Sequence, residues 1–262
     1  MDRSFIGTPR GGTGHRRIRG EKHHPQDAKK NELAPHRKEQ WVIPPKENAA
    51  FVASMEEVLD AYEQPYDEKH PLVCFDEKPV QLLKDPVAPL PPKAGQPQRE
   101  DYQYERHGTA SVLGFFEPLT GLRSLAVHER RTTQDFAQQM RRLVEDLYPQ
   151  AETIRVVLDN LNTHKKASLY ASFDPQTAAR IAKKLEFIYT PKHGSWLNAI
   201  EIEFSIVGRQ CLDRRMESLE KLRTEIGTWE KERNQRLVKV DWQFKTKDAR
   251  IKLKHLYPKL SS

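Results

Sequence analysis

Residues 154–159 read Ile154-Arg155-Val156-Val157-Leu158-Asp159. The run before the aspartate is too short for a helix and nearly all apolar, so it predicts a strand buried on both faces. Strands of that kind lie inside sheets covered by helices on both sides. The flanking sequence agrees. Upstream, Thr132-Thr133 caps a helix whose stripe is Phe136, Met140, Leu143, Val144 and Leu147, closed by Pro149. Downstream, a helical stretch from about 165 to 185 breaks near Asp174-Pro175, with Ile181, Ala182 and Leu185 inward. Leu185 to Tyr189 then reads as a second short strand.

Farther out, Pro71 to Leu83 reads as a core strand, and Tyr102 to Phe116 and Leu122 to Glu129 as two more, joined by the turn Pro118-Leu119-Thr120-Gly121. Pro86, Pro89, Pro91, Pro92 and Pro97 forbid a helix or central strand over 85–97, which becomes a long extended loop. Residues 46–63 form a helix on Phe51, Met55, Val58, Leu59 and Tyr62. After Tyr189 come a Gly194-Ser195-Trp196 loop and a helix over about 197–215, on Leu197, Ile200, Phe204, Val207 and Cys211. A helix over about 218–233, a strand-like Val238-Lys239-Val240-Asp241-Trp242 and a basic helix from about Lys247 to Leu256 follow. The order β-β-β-α-β-α-β-α predicts an α/β fold: a mixed sheet, three antiparallel strands and then alternating helix and strand, with helices on both faces.

The chain has 262 residues, enough for one full core with extensions. Mean hydropathy is −0.81 and no run approaches the ~18 apolar residues of a membrane span, so neither a span nor a signal peptide is expected. Cys74 and Cys211 lie in apolar runs and read as reduced core thiols, which suits a reducing compartment. Charge is uneven. Residues 231–262 hold 10 basic and 3 acidic residues and residues 1–40 hold 10 and 5, which leaves 41–230 at net −5 out of a total of +7. An acidic centre between basic ends suits an enzyme that gathers carboxylates at a metal and grips a polyanion with its extremities, or a core with solvated tails.

Three acids stand out. Asp76 sits inside an apolar strand, where a carboxylate is costly unless paired, hydrogen-bonded or on a metal; a strand-edge acid facing water, or a salt bridge to Lys78, is the plainer reading. Its neighbour Glu77 points to the opposite sheet face. Asp159 ends the 154–158 strand and opens Asp159-Asn160-Leu161-Asn162-Thr163-His164, where ligands of open α/β sheets gather but where Asp and Asn are also ordinary turn residues. Glu201 borders the apolar stripe of the 197–215 helix, as a site acid or a helix-dipole acid. Glu203 is its rival, about 200° round the helix, so only one of the two can face a shared site. Two strand-terminal aspartates and a helical glutamate make a hard, all-oxygen donor set of the kind Mg²⁺ or Mn²⁺ prefers. Zinc-type Cys/His spacing, a Gly-rich phosphate loop and a Gly-x-Ser-x-Gly elbow are absent from the sequence.

Cys74-Phe75-Asp76-Glu77, the block Leu158 to His164, and Tyr189 to Glu201 together resemble the three catalytic blocks of DDE transposases. The branch is the mariner-like superfamily, within it the bacterial insertion-sequence 630 family, and the likeness covers about residues 28 to 258. It implies an RNase H-like catalytic domain with Asp76, Asp159 and Glu201 as catalytic and metal-binding acids. It also implies DNA contacts from His164, Lys192, His193, Trp196 and Asn198. Trp196 read by itself is a wedge holding its loop on the core, and His164 equally a structural hydrogen-bonding residue. The resemblance further implies two Mg²⁺ ions, with Mn²⁺ possible in their place, and DNA partners: terminal inverted repeats and a TA-containing target. A homodimer or higher assembly on DNA, without a membrane, in a bacterial cytoplasm on the nucleoid, completes the picture. The interval from Asp159 to Glu201 is 42 positions, longer than is usual in that superfamily, and the surplus falls in 168–184.

The expected organisation is a basic leader over 1–30, a linker and helix over 31–70, the catalytic core over 71–216 and a basic helical extension over 217–262. The helix-turn-helix domains with which such proteins usually begin are expected to be missing. Two other functions fit the same sequence: a non-catalytic DNA-binding remnant, and a stand-alone RNase H-like nuclease.

Overall fold

Five strands build one sheet: β1 (Leu72–Lys84), β2 (Glu105–Glu117), β3 (Leu122–His128), β4 (Ile154–Leu158) and β5 (Leu185–Tyr189). Their order is β3-β2-β1-β4-β5. β1, β2 and β3 form an antiparallel meander, whereas β4 lies parallel to β1 and β5 parallel to β4. This is the mixed sheet that the sequence predicts. The computed structural model describes residues 44 and 46–259, so the expected 1–30 leader lies outside the described residues.

The helices are α1 (Ala49–Glu63), α2 (Thr133–Arg142), α3 (Lys166–Ser172), α4 (Pro175–Lys184), α5 (Ile200–Gln210), α6 (Leu219–Arg236) and α7 (Thr246–Lys252). Thr132 and Asp135 close a capping box at the start of α2, and Asp174 with Pro175 starts α4. Side chains alternate along the central strands and so feed two cores. Val73, Phe75, Ile154, Val156 and Leu158 meet Phe136, Met140, Leu169 and Ile181 on one face. Leu72, Cys74 and Val157 meet Met55, Leu59, Ile200, Phe204 and Ile226 on the other. β4 is thus buried on both faces, as its composition requires. Among the described residues no helix is long and apolar enough to cross a membrane.

Three boundaries differ from expectation. The helix expected over 197–215 is a 3₁₀ turn (Ser195–Leu197) followed by α5, which stops at Gln210. There Val207 O accepts from both Cys211 N and Leu212 N, and Arg215 is drawn off to the Asp85 carboxylate and the carbonyls of Asp101 and Gln103. Past Arg142, a π-turn (Leu143–Leu147) ends the helix that begins as α2. The strand expected over 238–242 is irregular chain. Leu237 turns left-handed at the end of α6, and the β3 edge that a sixth strand would join is already occupied by α6 side chains. Asn234 exchanges hydrogen bonds with the backbone of Arg123, and the Glu230 carboxylate accepts from Leu125 N. That covering also prevents edge-to-edge pairing with another chain.

Candidate active site

Asp76 and Asp159 are neighbours by register. Cys74 pairs with Val157 across β1 and β4, so two residues further on the same ladder direction carries Asp76 alongside Asp159. Alternation puts both on the face covered by α5. Gly114 faces Asp76 across β1 and β2. A Cβ at Gly114 would stand 2.8 Å from Ile200 Cδ1 and 3.1 Å from Phe204 Cε1, so the glycine is what lets α5 lie this close to the strands. Asn198 fastens the start of α5: its buried Nδ2 donates to Phe75 O at 2.9 Å and stands 3.5 Å from Asp76 Oδ2. Behind it, Tyr62 on α1 donates to Leu197 O and accepts from Ala199 N. Glu201, the second residue of α5, is thereby held on the side of the two aspartates.

Asp76 and Glu201 are both perturbed. Burial pushes Asp76 up to about 7 against the opposing hydrogen bond from Glu77 N–H, and the charges of Asp159, Glu201 and Glu77 push the same way. Glu201 is also raised, first by partial desolvation and then by Asp159, while Lys78 pulls it down. Glu203 takes the other side of α5. Its buried carboxylate accepts from Arg233 at 3.1 Å, and Arg123 Nε lies 3.0 Å away, an ion pair by distance but off the line of a hydrogen bond. Of the two rival acids, Glu201 is therefore the one left facing the aspartates.

Among the described residues no group of three or more His, Cys, Asp and Glu side chains is gathered tightly enough to form a ready metal cage. The donor chemistry nevertheless suits a hard divalent cation. Asp76 Oδ1 accepts from Glu77 N–H at 2.8 Å, Asp159 Oδ1 meets His164 Nδ1, and the buried Asn198 Oδ1 beside them has no partner. Asp76 is held at Oδ1 by Glu77 and more loosely at Oδ2 by Asn198, whereas Asp159 is anchored at Oδ1 alone, and no hydrogen bond among the described residues engages Asp159 Oδ2.

The residues expected to touch DNA divide. Lys192 and His193 are exposed on the loop after β5, where His193 adopts a left-handed φ of 65°. They line a cleft of about 760 Å³ together with Asp159, Asn160, Thr190 and Ser195. Trp196 is half-buried against Phe244, the wedge its composition suggested. Asn198 and His164, for which the resemblance implies DNA contacts, are buried. His164 lies between Asp159 and Glu77, whose side chain is 4% exposed. Burial alone would lower this histidine, but the two carboxylates outweigh it and hold it up at about 9. Alternation already placed Glu77 on the far face; that His164 meets it there left no signal in the sequence. In the basic C-terminal region, Arg233 and Arg250 are spent on Glu203 and Glu56, whereas Lys231, Arg236, Lys239, Lys247, Lys252 and Lys254 stay exposed.

A sequence profile described as "DDE superfamily endonuclease" matches residues 71–223. No curated protein sequence matches the chain. The structure is similar to the Mos1 mariner paired end complex with Mn, at a TM-score of 0.51 and 16% identity over 80% of this chain and 68% of that one. It is equally similar to the Mos1 transposase paired-end complex with left transposon end, at 0.51 and 15%, with the same coverage. At these identities the likeness is one of fold.

Proposed function

The chain belongs to the DDE superfamily of endonucleases, and on that footing we propose that it is a transposase catalytic domain of the mariner-like superfamily, in the manner of the insertion-sequence 630 family. In this reading it cuts DNA strands at the ends of a mobile element and joins them to a target, with Asp76, Asp159 and Glu201 as its catalytic acids. The observation that carries the reading is that β1, the end of β4 and the first turn of α5 bring Asp76, Asp159 and Glu201 to one face, where burial and then the neighbouring acids raise Asp76 and Glu201, while the rival Glu203 is neutralised by arginines.

Two Mg²⁺ or Mn²⁺ ions held by these acids would activate the attacking water or 3′-hydroxyl and stabilise the departing 3′-oxygen. The protein's own part is positioning. Glu77 N–H and Asn198 orient Asp76, and Gly114 and Tyr62 seat the helix that presents Glu201. Lys192 and His193, at the mouth of the cleft beside Asp159, contact phosphates, and the exposed lysines and arginines of 231–259 extend the grip. The core over 71–216 and the extension over 217–262 serve these two tasks. The DNA partners are inverted-repeat ends and a TA-containing target. The working form is a paired assembly, like the Mos1 paired-end complexes.

The test is Mg²⁺-dependent nicking of duplex DNA ending in the element's inverted repeat. Asp159→Asn removes several kcal/mol of transition-state stabilisation, about a thousandfold or more in rate, measured well below the variant's melting range. Unchanged nicking would reject the assignment. A non-catalytic DNA-binding chain is the second reading, favoured by the open spacing of the acids. It predicts salt-sensitive DNA binding by both proteins and cleavage by neither.

A further inference from the structure

Behind Asp159 stands a buried group to which the expected chemistry assigns no task. His164 has a side chain with 0% exposure and a partner at each ring nitrogen: Asp159 Oδ1 at Nδ1, and Glu77 Oε1 at Nε2, 2.9 Å away. The ring cannot swing. It stacks on Phe136 at 4.8 Å between centroids and takes Phe75 edge-on at 5.4 Å. Its backbone is tied as well, since His164 O accepts from Tyr189 OH at 2.8 Å and His164 N donates to Leu161 O. Glu77, at the other end of the chain of contacts, sits on β1 next to Asp76 and lends Asp76 its N–H. One dipeptide, Asp76-Glu77, therefore sends its first carboxylate to the face of the sheet that carries α5. Its second passes through His164, round the end of β4, to Asp159 on that same face.

We infer that Glu77 and His164 are positioning residues, a buried Glu77–His164–Asp159 line that fixes one oxygen of Asp159 and turns the other toward a divalent cation. Carboxylate ligands of metals are themselves commonly held by hydrogen bonds, and loss of such a support costs roughly 10–100-fold in metal affinity. A histidine serving only to fill the core would not need a second carboxylate, buried at its far nitrogen. The inference rests on the reading of Asp159 as a metal ligand, so the two must be tested apart.

Mn²⁺ alone is titrated into the full chain and followed by the electron-spin signal of the free ion, with a thermal melt beside each titration. Asp159→Asn tests the ligand. His164→Asn and Glu77→Gln test the line behind it; Glu77→Gln keeps the size and an acceptor oxygen, and decides the matter if His164→Asn does not fold. The expected result is Mn²⁺ binding by the wild type, its loss in Asp159→Asn, and a roughly 10–100-fold weaker affinity in the other two. Glu77→Gln takes one partner from the buried His164 and should lower the melting temperature, so affinities are compared well below the melting range of each folded variant. If Asp159→Asn loses the ion while a folded Glu77→Gln binds it as the wild type does, the line is structural and the inference falls alone. If the wild type takes up no Mn²⁺, or Asp159→Asn takes it up undiminished, the ligand assignment falls and takes the inference with it.

Discussion

Glu201 and Glu203 stand two residues apart on α5 and lead opposite lives. Glu203 is 2% exposed and enclosed by Arg123 and Arg233, with α6 and the β3 edge built around it. Glu201 looks across at Asp76 and Asp159, and the cation that answers it is the more distant Lys78. The helix has the same composition at both places; the neighbours decide. An acid whose charge the fold neutralises is part of the structure, and a set of acids left to repel one another has a cost that only something outside the chain removes.

The sharpest way to break that contrast is to neutralise each acid in turn. Glu201→Gln should cut Mg²⁺-dependent strand cleavage by about a thousandfold or more, and leave the melting temperature equal or slightly higher because a like charge has gone. Glu203→Gln should do the reverse. It leaves Arg123, whose side chain has 0% exposure, as an uncompensated buried charge. Breaking a buried pair from one side costs about 3–5 kcal/mol, readable in urea unfolding. Equal stability losses in the two variants would erase the distinction.

A smaller effect tests the seat they share. Gly114→Ala places a methyl against Ile200 and Leu125, which costs about 1–3 kcal/mol by overpacking. Because the helix must lift, cleavage should fall by more than the stability loss explains, measured well below the melting range. A variant that loses stability and keeps full activity would show that the distance from α5 to the strands does not matter to the site.

Much of this was legible beforehand because it follows from local rules. The apolar run at 154–158 demanded cover on both faces, the prolines over 85–97 excluded a strand, and Asp174-Pro175 marked a new helix start. Helical periodicity alone could not choose between Glu201 and Glu203; the resemblance chose Glu201, and Arg123 and Arg233 supply the physical reason. The strand expected at 238–242 failed because alternation reports a half-buried segment and not whether a sheet edge is free to receive it. Of the two readings of His164, the structural hydrogen-bonding one matches its burial, but its partner could not be foreseen. Its partner Glu77 is 87 residues away, and nothing in spacing or composition announces a contact that passes around the end of a strand.

The mildest perturbation that separates the two acidic regions is proton concentration. Asp76, faced by Glu77, Asp159 and Glu201, has a folded value of about 7 against an ordinary 3.8. The folded chain thus binds more protons than the unfolded one, and stability falls as pH climbs from about 4 to about 7. His164, faced by Asp159 and Glu77, is raised from 6.5 to about 9. Its contribution is complete below 6.5 and is lost as pH rises through 9. Both slopes have the same sign, so the metal-free chain should melt lower at pH 9 than at pH 5. With screening at this partly open site, the net loss is about 1–2 kcal/mol, or roughly 2–6 °C. Asp76→Asn should flatten the acid half of the slope, and millimolar Mg²⁺ should restore the wild type at pH 8 but not Asp159→Asn. A melting temperature that rises from pH 5 to pH 9 would mean the acids are already compensated within the chain, and Glu201 would then differ from Glu203 only in the name of its partner.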